Sequence, residues 1–194
     1  LREQERARRK EEVERNLLEA ENARKTQELE EAGLFQLSLL PGTVPDDPRF
    51  RVAVLMKTAT EVGGDYYDFS TSQRGVLTVA VGDATGHGAT AATMVTVIKS
   101  PFTAADDDSS PASFLDSAAR TIHRMSLGRR NMALTVARLE DGAAVIASAG
   151  MPPVLVHRPT EPSVSEVAFE ALPLGRLVGD AYEETRLKLE SVDT

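Results

Sequence analysis

Glu61-Val62-Gly63-Gly64-Asp65-Tyr66-Tyr67-Asp68-Phe69 and Gly82-Asp83-Ala84-Thr85-Gly86-His87-Gly88 are the stretches whose reading decides this chain. Each sets an Asp beside Gly at the border of an apolar, β-rich segment. Glycine lets the backbone turn sharply there, so that a side chain and a carbonyl can face one point. Oxygen ligands in such a turn suit magnesium or manganese, which prefer carboxylate and carbonyl groups. Taken singly, either Asp reads as an ordinary turn or helix-cap residue. Found a short hairpin apart, Asp65 and Asp83 read as two carboxylates on adjacent strand ends, able to share cations.

Around these turns the pattern is that of strands. Tyr66 to Ser70 and Gly75 to Gly82 alternate or run apolar, with Ser72-Gln73-Arg74-Gly75 as the turn between them. Arg51 to Lys57, upstream, predicts another strand. Downstream, Gly88 to about Ala105 predicts a buried helix carrying Ala91, Ala92, Met94, Val95, Val97 and Ile98, which Pro101 kinks or ends. After the acidic loop Asp106 to Ser110, Ser109 or Ser110 caps a second helix that runs to about Leu127. Phe114, Leu115, Ala118, Ile122 and Met125 share its apolar face. Met132 to Glu140 and Ala143 to Ala149 form a hairpin about Asp141-Gly142. Val154 to His157, Val164 to Phe169 and Thr185 to Leu189 continue the strand pattern. Two buried helices set among strands imply a layered α+β domain over residues 34–194.

Residues 1–33 differ in kind. They are rich in helix formers and alternating charge, with Glu11/Arg15 and Glu21/Lys25 at helical spacing and no Pro. A helix of that length reaches about 50 Å at ~1.5 Å per residue. Val13, Leu17, Ala20, Leu29 and Ala32 offer a seam that Arg24 interrupts, so a solvated rod and a parallel, dimerising coiled coil both fit, the latter being the sharper expectation. Leu34, Phe35, Leu37, Leu39 and Leu40 then turn apolar before Pro41-Gly42. They are expected to dock the rod on the domain.

Composition excludes several chemistries. With no cysteine in 194 residues there is no disulfide, thiolate metal site or cysteine nucleophile. A net charge of −8 and no basic stripe argue against nucleic acid. No apolar run reaches the length of a membrane span, the N-terminus is no signal peptide, and a cytoplasmic setting is expected.

The remaining candidates near the turns carry alternatives. Asp68, three residues past Asp65, falls on the opposite face of a strand and is expected in a solvent or turn role. Glu61 is either an outer acceptor for metal-bound water or a loop carboxylate. His87, between Gly86 and Gly88, either donates to a phosphate or an outer carboxylate, or serves helix entry. His123 and His157 are expected to be structural. The Gly86-His87-Gly88 turn lacks the Lys-Ser/Thr of a phosphate loop, and no Ser, His and acid set stands out.

At these residues the chain resembles the SpoIIE/RsbU type of PPM (protein phosphatase 2C-like) metal-dependent serine/threonine phosphatases. The resemblance runs in order through Gln36-Leu37-Ser38-Leu39-Leu40-Pro41, Glu61 to Phe69, Val81 to Ala92, Ser148-Ala149-Gly150-Met151-Pro152-Pro153 and Leu172-Pro173-Leu174-Gly175. It implies an αββα sandwich. It implies Asp65 and Asp83 as metal ligands with the Ala84 carbonyl, and two Mn²⁺ or Mg²⁺ ions holding a water that attacks phosphorus directly. Gly64 and Gly86 would shape the site. The implied substrate is a phosphoserine or phosphothreonine on a partner protein, typically an anti-sigma factor antagonist. An upstream sensor joined through the helical linker is implied as well. Met151 stands where many relatives have His. The chain ends at Ser191-Val192-Asp193-Thr194, where such a protein continues into a strand and an Asp-Gly metal turn, so the expectation is a domain lacking its C-terminal part. A noncatalytic dimeric signalling module that keeps the fold for partner binding is the alternative.

Overall fold

The computed structural model describes residues 2–57, 63–105, 109–128, 130–140, 142–161, 163–176 and 181–190. Helix α1, Arg2–Ser38, carries the charged N-terminal region and runs five residues past Gly33. Residues 4–31 are exposed throughout. Side chains at i and i+4 pair along the rod, as in Lys25 with Glu21 at 2.8 Å and Arg15 with Glu19 at 3.8 Å. Its last turns differ from expectation. Gly33 and Gln36 are buried there and Leu40 just beyond the helix, whereas Leu34, Phe35 and Leu37 are exposed. A helix presents only one stripe to a neighbour, and consecutive apolar residues cannot all lie on it.

The domain is built on a five-stranded sheet in the order β1-β2-β3-β4-β7, every neighbouring pair antiparallel. The strands are β1 (Asp65–Thr71), β2 (Leu77–Ala84), β3 (Met132–Glu140), β4 (Ala143–Ala149) and β7 (Glu184–Lys188). Two short strands, β5 (Val154–Val156) and β6 (Ser165–Val167), pair separately. The β1–β2 turn closes where expected, with the Ser72 hydroxyl accepting from Val76 N at 3.1 Å. Glu140 pairs with Ala143 across the next hairpin, whose Asp141 lies outside the described residues. The predicted strand Arg51 to Lys57 is not one. Its β-branched residues satisfy the propensity, but no strand pairs with it among the described residues, and Leu55 is almost fully exposed.

Helices α2 (Ala89–Thr103) and α3 (Pro111–Arg124) cover one face of the sheet. Ser110 caps α3 through Ser113 N, and Pro111 opens it. Pro101 sits inside the last turns of α2 without ending it. Ala91, Met94, Val95 and Ile98 of α2 pack with Phe114, Leu115, Ala118 and Ile122 of α3 above Tyr66, Ala80, Ala84, Leu134, Val136 and Ala147. Met125, expected on that face, is the α3 C-cap and half exposed. The result is the expected α+β class with a long N-terminal helix; of the αββα layering, the described residues form one helical layer on an antiparallel sheet.

Candidate metal centre

The register of β1 on β2 sets the site. Asp65 pairs directly with Asp83. Because side chains alternate, Tyr66 and Asp68 on β1 and Ala80, Gly82 and Ala84 on β2 point into the helix-covered core, while Asp65 and Asp83 point to the other face and are exposed. Two carboxylates directly opposite one another repel, and nothing in ordinary packing rewards the arrangement. Partial desolvation at the strand end, and then the Asp65 carboxylate opposite, push the Asp83 carboxyl above its ordinary range. With both side chains exposed, water screens much of this repulsion.

A backbone oxygen joins the pair. Ala84 N donates to the Gly64 carbonyl at 2.9 Å, so the Ala84 amide and carbonyl face Gly64. A Cβ on Gly64 would lie 2.4 Å from the Ala84 carbonyl oxygen and 3.1 Å from Asp83 Oδ1. Glycine at position 64 is therefore what allows the two turns to close on each other. Thr85 N then donates to Asn131 O at 2.9 Å, tying the turn to the start of β3. Gly86 and Gly88 take positive φ of 98° and 71° and lead into α2, whose N-cap Gly88 supplies no side chain. His87 stands exposed between them. Glu61 lies outside the described residues.

The donor set suits a hard divalent cation: two carboxylates and a carbonyl at adjoining strand ends. It is a partial set, since no cluster of three or more acidic or His ligands occurs among the described residues.

The other sequence blocks support this end of the sheet. Met132, which pairs with Ala84, also exchanges backbone hydrogen bonds with Leu174 at 3.0 and 2.8 Å. Gly150 has φ 73°, and a Cβ there would fall 2.4 Å from Pro173 Cγ. The Ser148-Ala149-Gly150 and Leu172-Pro173-Leu174-Gly175 blocks thus meet at the start of β3, where Met132 lies between Ala84 and Leu174.

Two polar residues have roles that the sequence reading missed. Gln36, buried near the end of α1, donates from Nε2 to the Gly63 carbonyl at 2.7 Å. The end of α1 therefore touches the very turn that carries Asp65. Asp68, expected in a solvent or turn role, is instead buried, accepting from Tyr66 Oη at 2.9 Å, Phe69 N at 2.9 Å and Lys99 Nζ at 2.7 Å. Burial, with the Asp68 carboxylate adjoining, raises the Tyr66 phenol and keeps it protonated. Lys99 sits 31 residues away on α2, a distance at which spacing carries no signal.

The fold has counterparts among known proteins. Among solved structures, the chain is similar to the SiaA-PP2C domain of Pseudomonas aeruginosa (TM-score 0.74, 21% identity, 88% of this chain and 70% of that one). It is also similar to the RsbU and RsbW domains of a Mycobacterium tuberculosis protein (TM-score 0.53, 25% identity, 70% of this chain and 38% of that one). RsbX in complex with magnesium is a third such structure (TM-score 0.58, 16% identity, 70% of this chain and 65% of that one). A search of curated protein sequences gives no match. The profile of the SpoIIE family, stage II sporulation protein E, matches residues 73–194, which include Asp83 and both supporting blocks, while the strand register brings Asp65 to them. On that match, over well more than half its length, the chain belongs to the SpoIIE family of PPM-type serine/threonine protein phosphatases.

Proposed function

We propose that the Asp65–Asp83 end of the sheet is the metal centre of a phosphatase that hydrolyses phosphoserine or phosphothreonine on a regulatory protein, using two Mn²⁺ or Mg²⁺ ions. The observation that carries the reading is the direct pairing of Asp65 with Asp83 beside the Ala84 carbonyl. Such a pair costs stability unless a cation shares it. Asp65, Asp83 and the Ala84 carbonyl would hold the metal. What bound divalent ions supply is a water of lowered pKa and neutralised charge on the phosphoryl oxygens.

The chain's own residues position and orient. Gly64 leaves room for the Ala84 carbonyl oxygen and Asp83 Oδ1, which a Cβ there would meet at 2.4 and 3.1 Å. His87 is assigned to donate to a phosphate oxygen, a reading that its exposure between two glycines of positive φ supports. The resemblance of the sequence blocks to the SpoIIE/RsbU type is what favours a partner of the anti-sigma factor antagonist type and a cytoplasmic setting. No helix among the described residues is long and apolar enough to cross a membrane.

The rod is assigned to residues 1–33 as a linker from an upstream sensor, and residues 34–194 form the phosphatase domain. Exposed Val13, Leu17, Leu29, Leu34 and Phe35 support pairing of two rods in a homodimer. The Gln36–Gly63 hydrogen bond gives a route by which the linker could bear on the metal turn. Removing the rod and measuring both solution mass and turnover tests this, and unchanged mass with unchanged rate would sink it.

Hydrolysis of p-nitrophenyl phosphate in Mn²⁺ tests the enzyme reading. Turnover that Asp83→Asn abolishes is expected; its absence in the wild type would leave the noncatalytic partner-binding module.

A further inference from the structure

We propose that the buried Asp68–Lys99 pair is a positioning device for the metal centre, fixing the register of α2 on β1; the inference rests on the metal-centre reading above. α2 grows directly out of the turn that follows Asp83 and Ala84, and begins without a side-chain cap. The side chains it buries against the sheet are Ala91, Met94, Val95, Ile98 and Phe102. Apolar contacts of this kind are non-directional and permit sliding. Lys99 to Asp68, at 2.7 Å, is a directional contact between this helix and β1. The carboxylate is itself fixed from β1, by the Tyr66 hydroxyl and by Phe69 N. Tyr66 in turn is the residue next to Asp65. One end of the linkage thus holds the strand that carries Asp65, and the other holds the helix that carries the Asp83–Gly88 turn.

Stability does not account for the pair. Side-chain exposure is 6% for Asp68 and 27% for Lys99, so the carboxylate is nearly fully desolvated and the lysine side chain is partly covered. Buried ion pairs of this sort are commonly neutral or unfavourable compared with apolar residues of similar volume, and their best attested use is to specify register. Here the register specified is that of the two elements between which the carboxylates and the Ala84 carbonyl converge.

The test is the double variant Asp68→Asn/Lys99→Met in the full chain. Asn still accepts from the Tyr66 hydroxyl, and Met replaces the ammonium with an apolar group of similar length, so neither charge is left unpaired. Two quantities are measured: the melting temperature in EDTA, and Mn²⁺ affinity from the loss of the free-ion electron paramagnetic resonance signal. The expected result is a melting temperature equal to or above wild type, with Mn²⁺ bound roughly tenfold more weakly, the size of effect seen when supporting groups around a metal are removed. Wild-type Mn²⁺ affinity in the variant overturns the proposal. So does a loss of affinity that appears only with a matching fall in melting temperature and is reversed when lower temperature restores the fold. If the wild-type chain itself takes up no Mn²⁺, the metal-centre reading fails, and this inference with it.

Discussion

Replacing Asp83 with Asn should make the metal-free protein more stable and the metal-loaded protein relatively less so. Directly paired residues in an antiparallel sheet have Cβ atoms about 4.5–5.5 Å apart. Two unit charges about 5 Å apart repel by about 3 kcal/mol at an effective dielectric of 20, and by under about 1 kcal/mol in water. Asp65 and Asp83 are exposed, which places the repulsion near the lower figure, about 1 kcal/mol. For a chain of this size that corresponds to a melting temperature roughly 2–4 °C higher for Asp83→Asn in EDTA at pH 7.

The sign with pH follows from the raised carboxyl. Asp83 holds a proton more readily in the folded state than at its ordinary 3.8. Its cost is therefore full above the folded-state pKa and disappears below 3.8, so the Asn variant's advantage vanishes on acidification. Mn²⁺ reverses the order. At ten times the dissociation constant, a ligand that binds only the folded state adds about 1.4 kcal/mol. Wild type gains this and the variant loses most of it. Scanning calorimetry with EDTA and with Mn²⁺ reads both. The reasoning is refuted if Asn gives no gain in EDTA at neutral pH, or if Mn²⁺ raises both proteins equally.

Gly64→Ala should be more damaging than its single methyl suggests, because its Cβ would meet the Ala84 carbonyl at 2.4 Å. Urea unfolding should show a loss of about 1–3 kcal/mol, with a weakened Mn²⁺ response. Gly150→Ala combines positive φ with a 2.4 Å approach to Pro173 Cγ, and should destabilise by at least as much while leaving the ligands untouched, so that residual folded protein keeps wild-type Mn²⁺ affinity. Asp47, held at about 2 by the side-chain and backbone donors of Arg49, contributes stability that is complete above 3.8 and lost as pH falls towards 2. Acid unfolding of Asp47→Asn, followed by circular dichroism, should lack that component.

Much of this was legible in sequence because the deciding features are local. A Gly-Asp turn at the end of an apolar run announces itself within a few residues, and β1, β2, the β3–β4 hairpin and the Ser110 cap followed from alternation and turn chemistry. What failed depended on partners distant in the chain. Arg51 to Lys57 carries strand propensity, but a strand is defined by pairing, which propensity does not contain. Asp68 was placed on the correct face, opposite Asp65, yet its burial became visible only with Lys99 alongside. At the end of α1, apolar character suggested Leu34, Phe35 and Leu37 as the docking residues. The buried contact is instead made by Gln36, a polar residue that can satisfy the Gly63 carbonyl.

The account turns on where a divalent cation binds, and paramagnetic broadening locates it. Amide resonances of the chain should be followed while substoichiometric Mn²⁺ is added. The account predicts that Gly64, Asp65, Asp83, Ala84 and Thr85 broaden first, and that Asp83→Asn abolishes the effect. Broadening centred on the acidic run Asp106-Asp107-Asp108 instead, or unchanged in the variant, would contradict it.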